Sequence, residues 1–249
     1  MGAMKNSGIP ESPAIRNILF DLDGTLVDSS GTIAASLCHA LEKSGLGQAD
    51  GPAVTSFIGV PLFDIFTSGY GMSESQTHVA IDHYRTYYDE LKQAGSRIYD
   101  GVPDALSDLR EAGYRLYIAT VKPTSIAEKV LTDFDLIGQF SGVMGASMGP
   151  EHRDKTSVIA RAVDRFCLEP DQCMMVGDRD QDIKGAQVNG MKSIGVTWGF
   201  GSREEIVNAR PDHVAEVSED ITRIVLARAM EPPADGAVEG FRRDREKSI

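Results

Sequence analysis

The chain is organised around the stretch Phe20-Asp21-Leu22-Asp23-Gly24-Thr25-Leu26-Val27-Asp28-Ser29. It continues a short apolar run over residues 17–20, which is typical of a buried strand in an α/β sheet. Asp21 and Asp23 stand two residues apart, and carboxylates this close repel each other unless a cation lies between them or one holds a proton. Such a pair does little to stabilise a fold, but it is useful in catalysis. One carboxylate can attack an electrophile while the other moves a proton.

Composition and charge exclude several classes of partner. The chain has 249 residues, of which 41% are hydrophobic, and a formal net charge of −12. Charge of this sign repels nucleic acid and anionic membrane surfaces, so we expect neither as a partner. No apolar run approaches the ~18 residues that span a membrane. Three scattered cysteines argue against a disulfide framework and predict a reducing, cytoplasmic location. We expect a monomer or a weak homodimer.

Alternating patterns predict an α/β fold, with a Rossmann-like parallel sheet as its core and an inserted α-helical cap domain. Strands are expected at residues 17–20, 115–120, 141–145, 173–176, 193–197 and 213–215, with amphipathic helices between most of them. Residues 30–98 show helical periodicity with no strand pattern. We therefore predict a core of residues 14–29 and 99–230, a helical cap at 30–98, a flexible tail with a tag remnant at 1–13, and a disordered tail at 231–249.

Reactive side chains follow the ends of several predicted strands, where ligands bind in open parallel sheets. They are Asp21 and Asp23, Thr120, Lys155, and Asp178 with Asp182. Three carboxylates from two strands suit a hard cation with oxygen ligands, and Mg²⁺ is the expected one. Thr120 and Lys155 offer a hydroxyl donor and a positive charge to a bound phosphate, and the helix N-terminus after Thr120 would add backbone N–H groups.

Together these motifs resemble those of the haloacid dehalogenase superfamily. They are Asp-x-Asp-Gly-Thr-Leu-x-Asp-Ser at the first strand, the strand ending in Thr120, the isolated Lys155, and Gly-Asp-x-x-x-Asp at 177–182. The resemblance covers residues 14 to 225, and the insert lies where that family places a helical cap. Segments 177–186 and 195–202 are most similar to phosphoglycolate phosphatase and its 5′-nucleotidase-like relatives.

The resemblance implies a role for each matched residue. Asp21 would be the nucleophile that forms an aspartyl-phosphate, and Asp23 the general acid and then the general base. The implied phosphate-binding residues are Gly24, Thr25, Thr120, Val121 and Lys155. The implied metal ligands are Asp21, Asp23 through its backbone carbonyl, Asp178 and Asp182. Relatives usually carry Asn or Ser in place of Val121, so here only a backbone N–H could contact the phosphate.

The expected activity is Mg²⁺-dependent hydrolysis of a small phosphorylated metabolite, with phosphoglycolate as the first candidate and a nucleoside monophosphate as the next. A β-phosphoglucomutase-type mutase shares the same motifs and stays an alternative. A catalytically silent binding module is the alternative from another class, and the intact acidic set argues against it. A dehalogenase would need neither Asp23 nor a metal, and a phosphonate hydrolase would need a reactive lysine in the cap, where only Lys43 and Lys92 occur.

Several other residues receive structural interpretations. Asp28 and Ser29 are interpreted as caps of the next helix, and Tyr84, Tyr88 and Leu91 as packing residues. Arg179, Asp180 and Gln181 are expected in a solvated turn, and His78 and His83 at the surface. Lys122 fits a surface residue and a site residue equally well, and residues 57–62 are the candidate loop over the site, because Gly59 and Pro61 interrupt the helical pattern.

Overall fold

A computed structural model describes residues 15–46, 57–58, 60–147 and 154–229. The predicted tails at 1–13 and 231–249 lie outside these residues, as does Gly59 of the candidate loop. No helix within the described ranges is both long enough and apolar enough to cross a membrane.

The strands are β1 (Asn17–Phe20), β2 (Val27–Asp28), β3 (Arg97–Ile98), β4 (Arg115–Pro123), β5 (Gly142–Ala146), β6 (Cys173–Gly177), β7 (Lys192–Val196) and β8 (His213–Ala215). Six of them form one parallel sheet in the order β5-β4-β1-β6-β7-β8. The other two, β2 and β3, form a separate antiparallel ribbon. The strand order places β1 between β4 and β6, so that the carboxyl ends of these three strands meet at one edge of the sheet.

The helices are α1 (Ser30–Lys43), α2 (Leu62–Asp64), α3 (Glu74–Leu91), α4 (Val102–Glu111), α5 (Thr124–Asp133), α6 (Lys155–Phe166), α7 (Asp180–Val188), α8 (Arg203–Ala209) and α9 (Ser218–Ala229). A π-helical turn at Ile65–Gly69 continues α2. Helices alternate with strands from β4 onward, which confirms the predicted α/β class.

The central strand β1 is buried on both faces. Ile18 and Phe20 join one apolar cluster, whereas Leu19 joins the cluster on the opposite face. Such double burial explains why this part of the sequence is continuously apolar instead of alternating. Two well-packed faces fix the end of β1, and with it the start of the acidic stretch.

Strand β4 differs from its prediction at its carboxyl end. It extends to Pro123, with a register shift between Thr120 and Pro123, and α5 begins only at Thr124. The predicted strand, which ends at Thr120, is therefore three residues too short, and the helix that follows it begins after Pro123. Pro123 explains the difference, because the residue before a proline is disfavoured in helical conformation, so that the helix can begin only after it.

The segment between β2 and β3 is largely helical, but the expectation that residues 30–98 contain no strand is wrong at Arg97 and Ile98. These two residues pair with β2, and a two-residue strand is too short to leave a periodic signal in the sequence. Nearby, α1 and the chain after α3 approach closely: a Cβ on Gly31 would lie 2.4 Å from the carbonyl oxygen of Gly95. Only glycine fits there.

Helix α3 begins with a capping box, which the sequence Ser73-Glu74-Ser75-Gln76 indicates. The backbone N–H of Gln76 donates to Ser73 Oγ over 3.4 Å, and the N–H of Ser73 donates to Gln76 Oε1 over 2.9 Å. This reciprocal pair satisfies two backbone donors at the helix end.

Candidate active site

Asp21 follows β1 directly and is almost fully buried. Its backbone N–H donates to the carbonyl of Val176 over 2.9 Å, which continues the pairing of β1 with β6 by one residue. Its Oδ1 accepts a bond from the N–H of Leu22 over 2.8 Å and lies 2.9 Å from Lys155 Nζ. The sheet therefore holds this carboxylate in a fixed position at its carboxyl edge.

Asp21, Asp178 and Asp182 form a buried acidic cluster. One carboxylate oxygen from each lies within 4.8 Å of the others. Asp178 follows β6 and accepts bonds from Thr25 Oγ1 over 3.0 Å and from the N–H of Phe200 over 2.7 Å. Asp182 lies in the first turn of α7, and the N–H of Arg179 donates to its Oδ2 over 3.0 Å.

The electrostatics of this cluster favour a bound cation. Burial and the neighbouring Asp182 and Asp21 carboxylates raise the pKa of Asp178 to about 8. Burial also raises the pKa of Asp182, to about 6, although Lys155 opposes the rise and Asp21 adds to it. Only when all three carboxylates are ionised do they leave two negative charges beside the one ammonium group, and a bound cation would favour that form. An oxygen-only ligand set with that surplus fits a hard divalent cation such as Mg²⁺.

Lys155 is the positive charge of the cluster. It is the first residue of α6 and only 2% exposed. Its Nζ lies 2.9 Å from Asp21 Oδ1 and 2.7 Å from Asp182 Oδ1, and it donates to the carbonyl of Ala119 over 3.0 Å. Burial lowers the pKa of Lys155, but the two carboxylates outweigh burial and leave it above its ordinary value. The lysine is therefore cationic at neutral pH.

Asp23 has partners distinct from those of Asp21. Its Oδ1 accepts a bond from Ser29 Oγ over 2.6 Å, and its Oδ2 lies 2.9 Å from Lys122 Nζ. Ser29 does occupy the N-cap position of α1, but its side chain makes no cap bond and donates to Asp23 instead. Asp28 does bond the N–H of Ser30, over 3.2 Å. The sequence leaves the role of Lys122 open, and in the structure it pairs with Asp23 and lies in the site.

Gly24 and Thr25 pack against Asp178. Gly24 has φ +85°, and a Cβ there would lie 2.2 Å from Asp178 Oδ2, so only glycine allows this approach. Thr25 is fully buried, and its carbonyl accepts a bond from Trp198 Nε1 over 3.1 Å. Although the resemblance implies phosphate contacts for both, neither is among the described residues that line the adjacent cavity.

A cavity of about 190 Å³ adjoins the acidic residues. Its inner end is formed by Asp21, Asp23, Thr120, Val121 and Lys122. The opposite wall comes from α3 and the segment at 57–65, and includes residues interpreted above as packing or surface residues, namely Tyr84, Tyr88 and His78. Both tyrosines are buried, so they pack and line the cavity at once, whereas the side chain of His78 is 64% exposed.

Arg179 departs most clearly from its predicted position in a solvated turn. Its Nη1 donates to the carbonyl oxygen of Ile58 over 2.7 Å, and its Nε donates to Glu205 Oε1 over 2.8 Å. Ile58 lines the cavity, so Arg179 connects the loop after β6 to the cavity wall. Its position next to Asp178 is the one sequence signal that could have pointed to a site role.

The parallel sheet thus carries, at the carboxyl edge of its strands, three buried carboxylates that could hold a metal ion. The chain belongs to the haloacid dehalogenase-like hydrolases, whose family model matches residues 18–196. The matched residues extend from β1 to β7 and include the three aspartates of the acidic cluster.

Individual relatives support the same family. The chain is 36% identical over 197 residues to a 5′-nucleotidase of Pseudomonas aeruginosa, covering 79% of this chain and 89% of that protein. It is 32% identical over 216 residues to a phosphoglycolate phosphatase of Mannheimia succiniciproducens, covering 83% and 96%. The crystal structure of a predicted phosphatase from Clostridium acetobutylicum has a TM-score of 0.81 at 35% identity, covering 86% of this chain and 100% of that one. The chain is therefore an enzyme of this family's phosphatase group.

Proposed function

We propose that the protein is a Mg²⁺-dependent phosphomonoester hydrolase that acts through an aspartyl-phosphate on Asp21. The observation that carries this proposal is the placement of the Asp21 carboxylate. It lies 2.9 Å from the buried Lys155, within 4.8 Å of Asp178 and Asp182 oxygens, and at the inner end of a cavity that Asp23 also lines. Such a site combines a fixed nucleophile, compensating positive charge and a second carboxylate.

In the first step, a carboxylate oxygen of Asp21 attacks the phosphorus of the ester. The bond from phosphorus to the leaving oxygen breaks, and that oxygen takes a proton from Asp23 and departs as the alcohol. Both oxygens of Asp23 accept bonds in this structure, so Lys122 must yield its bond to Oδ2 when Asp23 takes up its proton. The products are the free alcohol and phosphoryl-Asp21.

In the second step, Asp23 acts as the base. It removes a proton from a water molecule whose oxygen attacks the phosphorus, and the bond between phosphorus and Asp21 breaks. Inorganic phosphate leaves, Asp21 is again a free carboxylate, and Asp23 holds the proton needed for the next cycle. The partners seen for Asp23, a hydroxyl and an ammonium group, suit its carboxylate form in this step.

Charge compensation is the main requirement, because a carboxylate attacking a phosphate brings like charges together. Lys155 lies beside the Asp21 carboxylate, where it would offset the charge of a phosphoryl oxygen, and Thr120 and Val121 line the adjacent cavity. Asp21, Asp178 and Asp182, with the backbone carbonyl of Asp23, would hold Mg²⁺. When bound, this ion supplies positive charge that offsets the charge on the phosphoryl oxygens.

We further propose that residues 14–29 and 99–230 form the catalytic core and residues 30–98 a cap. The β2–β3 ribbon and the contact between Gly31 and Gly95 support this division, because they bring the two ends of the insert together. The cap supplies the apolar wall of the cavity and would exclude water during phosphoryl transfer.

The substrate is a small phosphorylated metabolite. Relatives named phosphoglycolate phosphatase and 5′-nucleotidase have similar identities to this chain, so these names do not choose between the two substrates. The mutase alternative rests on the shared motifs, and the comparison adds only fold similarity to it, because the matching β-phosphoglucomutase structure is 18% identical. Incubation with a sugar phosphate separates the two activities: a phosphatase releases inorganic phosphate, and a mutase returns an isomerised ester.

Phosphate release from p-nitrophenyl phosphate tests the proposal. We expect activity with Mg²⁺, little after EDTA treatment, and a loss of at least ~10³-fold in Asp21→Asn. Asp28→Asn is the matched control, because Asp28 pairs with Arg97 and Ser30 outside the cluster. Near-normal turnover in a folded Asp21→Asn variant would remove the nucleophile assignment, and inactivity of the wild-type protein on every ester would favour a silent binding module.

A further inference from the structure

The cavity beside Asp21 is polar at its inner end and mainly apolar along its walls. Polar groups are concentrated where Asp21, Asp23 and Thr120 meet, which is where a phosphoryl group would lie. The walls beyond them are mainly aliphatic and aromatic and come from α1, α3 and the turn after α2. A phosphomonoester with its phosphorus at Asp21 would therefore direct its leaving group against apolar side chains.

The walls are built from buried residues. Ile33 from α1, Ile65 from the π-helical turn, and Ile81, Tyr84 and Tyr88 from α3 all line the cavity, and each is less than 9% exposed. The two tyrosine rings lie 5.8 Å apart between centroids and are nearly stacked. A ligand that places apolar atoms against closely packed walls of this kind gains many dispersion contacts.

The charges around the cavity do not suit a leaving group with a second negative charge. Among the described lining residues the cations are Lys122 and Arg85, and the carboxylates are Asp21, Asp23 and Asp82. Lys122 is paired with Asp23, whereas Lys155, the cation beside Asp21, is not among the described lining residues. Beyond the end where the phosphoryl group would lie, the charged residues of the described lining are Asp82 and Arg85, one of each sign, so a carboxylate on the leaving group would meet no net positive charge there.

The size of the cavity points to a ring. An engineered cavity of about 150 Å³ accommodates one benzene molecule, and this cavity has a volume of about 190 Å³. The phosphoryl group takes the part of this volume next to Asp21, and a single ring on a short linker would fill the remainder better than a two-carbon leaving group.

Resting on the proposed hydrolase activity, we infer that the preferred substrates are phosphomonoesters whose leaving group is one uncharged, largely apolar ring on a short linker. In the reaction the ester oxygen departs with the ring as a neutral alcohol, protonated by Asp23, and the phosphoryl group remains on Asp21 until water releases it. Phosphoglycolate, which has a small anionic leaving group, is by the same reasoning a poor substrate.

The test compares benzyl phosphate, ethyl phosphate and phosphoglycolate, because all three release alcohols rather than activated phenols. We expect kcat/KM for benzyl phosphate to exceed that for ethyl phosphate by about tenfold or more, since each buried methylene contributes roughly fourfold. Phosphoglycolate should not exceed ethyl phosphate. Turnover of phosphoglycolate equal to or faster than that of benzyl phosphate would overturn the inference while leaving the hydrolase intact, whereas no phosphate release from any ester would overturn the proposed function itself.

A variant pair tests the location of the ring. Ile81→Trp places bulk inside the cavity and should lower the ratio of benzyl to ethyl phosphate kcat/KM by about fivefold or more. Val79→Trp on the same helix is the control, because Val79 is 55% exposed and outside the lining, and it should keep the wild-type ratio. An unchanged ratio in a folded Ile81→Trp protein contradicts the inference. If that variant does not fold, the wild-type comparison of the three esters decides alone.

Discussion

Arg179 and Ile58 are linked by a 2.7 Å hydrogen bond from the guanidinium Nη1 to the backbone carbonyl oxygen, across 121 positions of sequence. Arg179 directly follows Asp178 of the acidic cluster, and Ile58 is a buried residue of the cavity wall. The bond therefore joins the acidic edge of the sheet to the segment that covers it. A loss of this bond should loosen the wall more than the sheet.

We predict that Arg179→Met raises KM about tenfold or more with a smaller change in kcat, because a lost bond to a charged donor costs about 1.5–3 kcal/mol. Methionine keeps much of the apolar stem and removes both polar contacts. Arg203→Met is the matched control: Arg203 pairs with Glu216 at the surface, with both side chains 63% exposed, and such pairs contribute little. Steady-state kinetics of the two variants test this prediction. An unchanged KM in Arg179→Met would show that the bond between Arg179 and Ile58 has no role in substrate binding.

Ser29 should matter to catalysis more than its neighbour Ser30. Ser29 Oγ donates to Asp23 Oδ1, and Ser30 Oγ donates to Asp28 Oδ1, each over 2.6 Å. We expect Ser29→Ala to lower kcat about tenfold or more, because a lost hydrogen bond to a charged group costs about 1.5–3 kcal/mol and leaves Asp23 less well oriented. Ser30→Ala should stay within about twofold. Equal kinetic effects of the two substitutions would argue against a positioning role for Ser29.

Removal of Lys155 should destabilise the protein as well as inactivate it. Lys155→Met leaves Asp21 and Asp182 buried without their shared cation, and breaking a buried pair in this way costs about 3–5 kcal/mol. Urea unfolding of the metal-free protein measures this loss. Lys184→Met is the control, since Lys184 pairs with Asp180 at the surface and should change stability very little.

The metal-free protein should lose stability as pH rises from about 4 to about 8. Asp178, whose pKa is raised from 3.8 to about 8, keeps its proton in the folded state over a range where the unfolded chain has lost it. The free energy of unfolding therefore falls with increasing pH, the reverse of the usual behaviour of a paired carboxylate. One pKa unit corresponds to about 1.4 kcal/mol, so the loss should amount to a few kcal/mol.

Thermal unfolding in EDTA at several pH values measures this trend, and Asp178→Asn should flatten most of it. Addition of Mg²⁺ at pH 8 should raise the Tm of the wild-type protein, because an ion that binds only the folded state stabilises it. The same addition should have little effect on Asp178→Asn. A Tm of the metal-free wild-type protein that rises over this range would contradict the electrostatic account of the cluster.

The sequence was sufficient for the parallel sheet because its strands carry the signals that pattern analysis detects. Continuous apolar runs such as that of β1 reflect burial on both faces, and the capping box at Ser73 is a local feature of sequence. The ribbon of β2 and β3 escaped prediction, since each strand has only two residues and their pairing is set by the path of the chain.

For the site, the sequence could indicate which residues carry the chemistry, but it could not indicate which side chains form hydrogen bonds or ion pairs with them. Lys122, Ser29 and Arg179 are each ordinary residues by type and spacing. Their roles depend on long-range or side-chain geometry: Lys122 on the register shift in β4, Ser29 on the turn that returns it to Asp23, and Arg179 on a segment far away in sequence. Hydrogen bonds of this kind produce no periodic pattern in the amino-acid sequence.

The contact between Gly31 and Gly95 has an evolutionary consequence. Because the polypeptide returns to the point from which it departs, the stretch between these glycines can be lengthened, shortened or exchanged for another without moving Asp21 or Asp23. Selectivity toward new esters can then diversify by changes in that stretch, while the hydrolytic machinery on the sheet is inherited unaltered.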